Sequence, residues 1–228
     1  MQEDTGTVTL SRLAEQLAIS PVTEHLGTSL ASVAGMIRRM KRDGLVDILA
    51  NKEIIFTEAG RTQAQSMMRR HQLAECLLVN VLGLELHKVH AEAHRLEHAI
   101  SPEVEAKMAE RLGNPQRCPF GHSIPGSTYR PPPDTVGLNR VRPGMAMIVE
   151  RIPEDDPRLV QYLVENHILP GAEVTVVDVA SYRGTITIAV GAAEVVVGLQ
   201  VAPRILVHPV PARNGSQAQP VAAAGRKR

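Results

Sequence analysis

The stretch His90-Ala91-Glu92-Ala93-His94-Arg95-Leu96-Glu97-His98 limits the possible folds of this chain more than any other. On a helix, at about 100° per residue, His90, His94, Glu97 and His98 fall within an arc of roughly 100° on one face. Imidazoles and a carboxylate are poor core material, because burying charge or unpaired polar atoms is costly. They are good ligands for a divalent transition metal. His71 and Glu75 stand at i, i+4 on an earlier helical stretch. Two helices crossing there would close one or two metal sites. The other reading of the same pattern is a solvated polar face.

With 228 residues the chain is long enough for two modest domains, each with a core. Hydrophobic residues make up 43% and aromatics only 2%, with no Trp. The core must therefore come from Leu, Val, Ile, Ala and Met, and a base-stacking platform for single-stranded nucleic acid is excluded. The net charge of +1 means that any nucleic-acid contact comes from a local basic patch. Two cysteines, Cys76 and Cys118, make no disulfide framework, which points to a reduced, cytoplasmic setting. No apolar run has the length of a membrane span, and the opening residues Met1 to Thr5 are too acidic and polar for a signal peptide.

Helical spacing runs from Thr9 to Ile19, and Ser20-Pro21 breaks it. A short helix over Val22–Gly27 and a third over Leu30–Arg42 follow. The third carries Val33, Met36, Ile37 and Met40 as its apolar stripe. The β-rich runs Val46–Leu49 and Glu53–Phe56 read as a hairpin. Longer helices are expected over Glu58–Val81, His87–Ile100 and Ser101–Leu112. The last has Ser as N-cap and Pro at its first helical position. After a turn-rich segment, Tyr129 to Asp134 reads as a stiff Pro-rich linker. Five strands are then expected: Ala146–Arg151, Ala172–Val179, Thr185–Val190, Glu194–Val197 and Arg204–His208. A helix over Pro157–Glu165 interrupts them, and the whole suggests a small barrel.

Three short helices followed by a hairpin are the layout of a winged helix-turn-helix, whose last helix enters the major groove. The candidate DNA-facing residues are Thr28, Ser29, Ala31, Ser32 and Gly35, small enough to let the backbone approach base edges. Arg38, Arg39 and Arg42 are placed for phosphates, and Lys52 sits at the wing tip. The competing reading is an ordinary amphipathic helix with a solvated cationic face.

The chain resembles the diphtheria toxin repressor family of iron- and manganese-dependent regulators. The resemblance runs over residues 9–208. Val22 to Val46 resembles the family's helix-turn-helix, and Thr57-Glu58-Ala59-Gly60-Arg61 resembles the segment after its wing. His71-Gln72-Leu73-Ala74-Glu75, Val89 through His98, and Cys118-Pro119-Phe120-Gly121-His122-Ser123-Ile124-Pro125 are similar to three further family motifs. Leu169 to Val174 resembles the SH3-like domain also found as the FeoA ferrous-iron transport accessory protein.

The resemblance implies an α+β, mainly α, architecture. A winged helix-turn-helix spans 1–63, and a helical metal-binding and dimerisation domain spans 64–126. A Pro-rich linker over 127–140 leads to an SH3-like domain at 141–210, and a disordered tail follows at 211–228. It implies an ancillary metal site of His71, Glu75 and His90 and a primary, activating site of His94, Glu97 and His98. Glu154 and Asp155 are weaker candidate ligands from the SH3-like domain. Position 94 is usually Cys or Glu in the family and is His here. The family's long first helix donates a Met or Asp to the primary site; at a different spacing, Glu3 or Asp4 would be the counterpart.

The function implied is a homodimeric, Fe(II)- or Mn(II)-dependent DNA-binding regulator, a repressor of metal-uptake genes that reads a palindromic double-stranded operator, and not an enzyme. The rival reading is a metallohydrolase, or a metal-binding module without DNA binding. No His-Glu-x-x-His motif supports the hydrolase.

Overall fold

The computed structural model describes residues 8, 9 and 30–211. The helices expected over 10–27, the candidates Glu3, Asp4, Thr28 and Ser29, and the tail beyond 211 lie outside the described residues.

Helix α1 (Leu30–Arg42) buries Val33 and Ile37 against Val46 of strand β1 (Val46–Ile48), with Met36, Met40 and Ile54 around them. This is a small core of its own. Strand β2 (Ile54–Phe56) pairs antiparallel with β1, Val46 opposite Phe56, and Lys52 takes a left-handed φ of 66° at the tip. Helix α2 (Glu58–Asn80) starts at Thr57, whose hydroxyl accepts from Gly60 N and donates to Gly44 O. Position 60 must be glycine, since a Cβ there would stand 1.8 Å from the Leu45 carbonyl oxygen. The hairpin and the first turn of α2 are thereby pressed together.

Helix α3 (Leu86–Glu97) returns antiparallel to α2 after a turn at Gly83, φ +67°. It ends earlier than its apolar pattern suggests. His98 is already the C-cap, and Ala99 N bonds back to Leu96 O. Helix α4 (Pro102–Arg111) follows, with the Ser101 side chain accepting from Val104 N as its cap.

The second half is a six-stranded antiparallel sheet in the order β3-β8-β4-β5-β6-β7. The strands are β3 (Val136–Gly137), β4 (Ala146–Arg151), β5 (Glu173–Ala180), β6 (Thr185–Val190), β7 (Ala193–Gly198) and β8 (Leu206–Pro209), with helix α5 (Pro157–Glu165) between β4 and β5. Five strands were expected, and β3 is the addition. It lies in the stretch read as linker, and two residues are too few to show an alternation. The linker is also less free than its prolines suggest. Thr128 donates to Gln116 through both N and Oγ1, and the Tyr129 hydroxyl donates to Glu150 Oε1 at 2.6 Å.

One continuous core joins the helices to the sheet. Leu73, Ala74, Val89 and Ala93 meet Cys118, Phe120 and Ile124 of the connecting turn, and these meet Val149 and Ile152. Phe120 is fully buried, worth roughly 1.5–3 kcal/mol in transfer terms. Ile152 N donates to Phe120 O, Arg117 donates to the Glu150 carbonyl, and α3 also packs on α5. Gly121 adopts φ +98°, and a Cβ there would stand 2.2 Å from Glu150 O. Among the described residues no helix is long and apolar enough to cross a membrane.

Candidate metal centre

The α2–α3 hairpin sets the register of the site. His71 and Glu75 are one turn apart on α2, as His90 and His94 are on α3. The Gly83 turn brings His71 opposite Glu97 and Glu75 opposite His90. His71 Nδ1 lies 2.7 Å from Glu97 Oε2, and its Nε2 lies 3.0 Å from Glu75 Oε1 and 3.1 Å from His90 Nδ1. Glu75 Oε1 is 3.4 Å from His90 Nδ1. The rings of His71, His90 and His94 pack with centroids 4.5 to 4.9 Å apart.

Two groups of ligand atoms lie mutually within 4.8 Å among the described residues: His71, Glu75, His90 and Glu154, and His71, His90 and His94. The first spans both halves of the chain, because Glu154 comes from the β4–α5 connection. His71, Glu75 and Glu97 are buried, His90 and Glu154 nearly so. A solvated polar face does not describe them.

Two polar atoms of the first group, Glu75 Oε2 and Glu154 Oε2, and one beside it, His122 Nε2 at 3.2 Å from Glu154 Oε2, are buried without a hydrogen-bond partner. Such atoms cost about 1–3 kcal/mol each when nothing satisfies them. A divalent cation would satisfy them, and a set of imidazoles and carboxylates is the chemistry it accepts. The residues fit the metal that their pattern implies.

The charges follow from burial and pairing. Burial works to raise the Glu75 carboxyl, but His71 and His90 outweigh it and hold it down to about 2. Burial favours neutral His71, yet Glu75 and Glu97 together raise its pKa. Glu154 is pushed up to about 7 by burial and then by the charge of Glu75. His122 is pushed down to about 4 by burial and then by Arg151, so its ring is neutral at pH 7. Burial also lowers His94 and raises both thiols, Cys76 to about 12.

The remaining candidates fall as follows. Glu97 Oε1 is flanked by His94 Nδ1 at 3.2 Å and His98 Nε2 at 3.4 Å, but the ligand atoms of His94 cluster with His71 and His90. His98 is 70% exposed and belongs to neither group. Asp155 pairs with Arg204 and stays out of the cluster, so of the two acids after β4 only Glu154 enters it. Ala31, Ser32, Arg38, Arg39 and Arg42 are exposed on α1, Gly35 is half-buried, and Lys52 is exposed at the tip of the β1–β2 hairpin. Arg42 is bonded to Asp43. Helical spacing passes over His122, which follows Gly121 and brings its Nε2 to 3.2 Å from Glu154 Oε2 without joining either group. A histidine outside helices and strands has no period to flag it.

The comparisons agree with this architecture. Residues 57–126 match the model of the iron dependent repressor metal binding and dimerisation domain, and residues 136–209 match the FeoA domain. The chain is 38% identical over 168 residues to the iron-dependent repressor IdeR of Mycobacterium bovis, covering 68% of this chain and 73% of that protein. The chain belongs to the iron-dependent repressor family. The diphtheria toxin repressor of Corynebacterium glutamicum is 45% identical over 105 residues, 46% of each chain. A solved manganese-dependent transcriptional repressor in complex with manganese superposes with TM-score 0.79 at 32% identity, covering 92% of this chain and 94% of that one. The family's members named here are regulators of transcription and not enzymes.

Proposed function

We propose that this protein is a DNA-binding transcriptional regulator controlled by Fe(II) or Mn(II), a homodimer that represses metal-uptake genes from a palindromic operator in the cytoplasm. The observation that carries the reading is the group His71, Glu75, His90 and Glu154, drawn from two parts of the fold in a chain of this family. These four residues would hold one cation. His94, Glu97 and His98 are the candidates for a second, where Glu97 Oε1 lies between two imidazoles. A bound divalent cation supplies the positive charge that lets Glu75 and Glu154 both be ionised side by side.

The protein side of the mechanism is a population shift. Holding α2, α3 and the β4–α5 connection in one arrangement fixes the base of α2. Through the Gly60–Leu45 contact this fixes the hairpin and α1. The unit over 1–63 reads as a winged helix-turn-helix, with Arg38, Arg39 and Lys52 at phosphates and the small residues Ala31, Ser32 and Gly35 of α1, with Thr28 and Ser29 before it in sequence, towards base edges. The unit over 141–210 reads as SH3-like, and 64–126 as the dimerising core. Two copies then meet half-sites about one helical turn apart, or a multiple of it.

The test is DNA binding by the full chain. An operator is selected from a random duplex library in the presence of Mn(II). Its affinity is then measured by fluorescence anisotropy with Mn(II), Fe(II), Zn(II) or chelator. Affinity at least tenfold tighter with Fe(II) or Mn(II) than with chelator is expected; the same affinity under all conditions overturns the reading.

A further inference from the structure

We propose that His122 is a further ligand of the same centre, its Nε2 standing beside the Glu154 carboxylate as an adjacent donor to one cation. The inference rests on the reading of His71, Glu75, His90 and Glu154 as metal-holding residues. His122 Nε2 and Glu154 Oε2 are 3.2 Å apart. Both are buried, and neither has a hydrogen-bond partner. They are close enough to bond and are not aligned to do so. Two donors each about 2.0–2.2 Å from one cation, at roughly a right angle, stand about 3 Å apart. The spacing is therefore that of neighbouring ligands, and the missing alignment is what two lone pairs aimed at a common point produce. Glu75 Oε2, the third orphaned atom of the cluster, belongs to the same centre.

The ring is held where it is. Gly121 puts the turn in a left-handed conformation against the Glu150 carbonyl, and Ile152 N bonds to Phe120 O on the other side of the seam. His122 therefore enters from the helical half and Glu154 from the sheet half, two residues beyond Ile152. As the side chains stand, His122 lies outside the group of His71, Glu75, His90 and Glu154 and meets it only through Glu154, so a cation would draw the ring inwards; the centre would then have three imidazoles and two carboxylates. Imidazole ligands suit Fe(II), Co(II) and Zn(II) better than Mn(II). This chain's centre should accordingly discriminate against Mn(II) more than a centre lacking the third ring.

The test uses the full chain, titrated with Co(II) and followed by visible absorption, and with Mn(II) in competition with a chelating dye. The proteins are the unmodified chain, His122→Ala, His122→Asn and, as a control on the underlying reading, His90→Ala. The expected result is 10- to 100-fold weaker Co(II) binding in His122→Ala, with a smaller loss for Mn(II). The Co(II) bands should shift and return towards their original form on addition of free imidazole. If binding weakens while the Co(II) spectrum is unchanged and imidazole has no effect, His122 only orients Glu154 and the ligand assignment is overturned. Unchanged affinity overturns it as well. If His90→Ala also binds Co(II) like the unmodified chain, the metal-centre reading itself fails along with the inference. Should His122→Ala not fold, His122→Asn gives the same comparison with a polar side chain that tolerates turns.

Discussion

His71 stands between two carboxylates, 2.7 Å from Glu97 through Nδ1 and 3.0 Å from Glu75 through Nε2. The first contact leaves Glu97 with one oxygen facing His71 and the other between His94 and His98. The two candidate cation positions are thus joined by a single hydrogen bond, and an imidazole oriented by a carboxylate is a better ligand at its other nitrogen. Glu97→Gln keeps the shape and removes the charge. It is expected to weaken Co(II) or Mn(II) binding at both positions, by about 10-fold or more. Calorimetric titration of metal into the chelator-treated protein checks this: one step weakened and the other untouched means that the positions are independent.

The pH dependence has a definite sign. His71 is raised, so its stabilisation of the metal-free fold is complete below its unfolded value of about 6.5 and is lost as pH rises through its folded value. Glu154, with its carboxyl near 7, likewise binds more protons folded than unfolded, so stability falls as pH rises towards 7. Below 6.5 the depressed His94 and His122 oppose this trend; above it they are neutral in both states. The chelated protein should therefore lose thermal stability from pH 6.5 to 8. Metal uptake requires the same protons to leave, so the rise in Tm on adding Mn(II) should grow over that interval. A metal-induced rise that shrinks from pH 6.5 to 8 contradicts the assignment of Glu154.

Much of this arrangement was legible in the sequence. The spacing of His90, His94, Glu97 and His98 placed four groups on one helical face, and His71 and Glu75 on another, because helical periodicity is strong in long segments; His98 falls at the C-cap, where the helix ends, and stands exposed outside both ligand groups. The hairpin, the Ser101 cap and most of the sheet followed from the same kind of pattern. The misses have a common physical cause. Strand β3 has two residues and shows no alternation. His122 and the pinned Tyr129 lie in irregular segments outside helices and strands, where contacts are set by tertiary packing. Asp155 and Glu154 are adjacent in sequence, but only the backbone path after β4 decides which of them turns inwards.

At the seam, the Tyr129 hydroxyl donates to Glu150, a buried acid whose other oxygen lies 3.6 Å from Arg117 and 3.8 Å from His208. Burial and that bond push the Tyr129 phenol up to about 12. Tyr129→Phe leaves the carboxylate short of a donor and should cost about 1–3 kcal/mol in urea unfolding. Neither side chain is a candidate ligand and the Gly121 backbone is left unchanged, so Co(II) affinity should stay within about twofold.

Gly121→Ala adds a Cβ 2.2 Å from Glu150 O at a positive φ. Strain of this kind costs about 1–3 kcal/mol and must push the turn away from β4. The variant should unfold at lower urea concentration and, unlike Tyr129→Phe, bind Co(II) more weakly, because His122 moves with the turn. Weakened folding with unchanged Co(II) affinity would separate the turn from the metal centre.

On the DNA side, Arg38→Ala and Arg39→Ala should each weaken binding to all sequences alike and lower the slope of log affinity against log salt by about one unit. Arg42, already bonded to Asp43, should matter less. Anisotropy titrations at several salt concentrations read this slope, and slopes matching the unmodified protein for both variants mean that α1 does not meet the phosphates.

The most direct measurement follows metal loading and operator affinity in one titration, for the unmodified chain and for His90→Ala. Operator affinity should rise at least tenfold in step with uptake of Fe(II) or Mn(II), and the rise should vanish in His90→Ala while its residual metal-free DNA binding is retained. Operator affinity that stays constant while the centre fills would contradict the account.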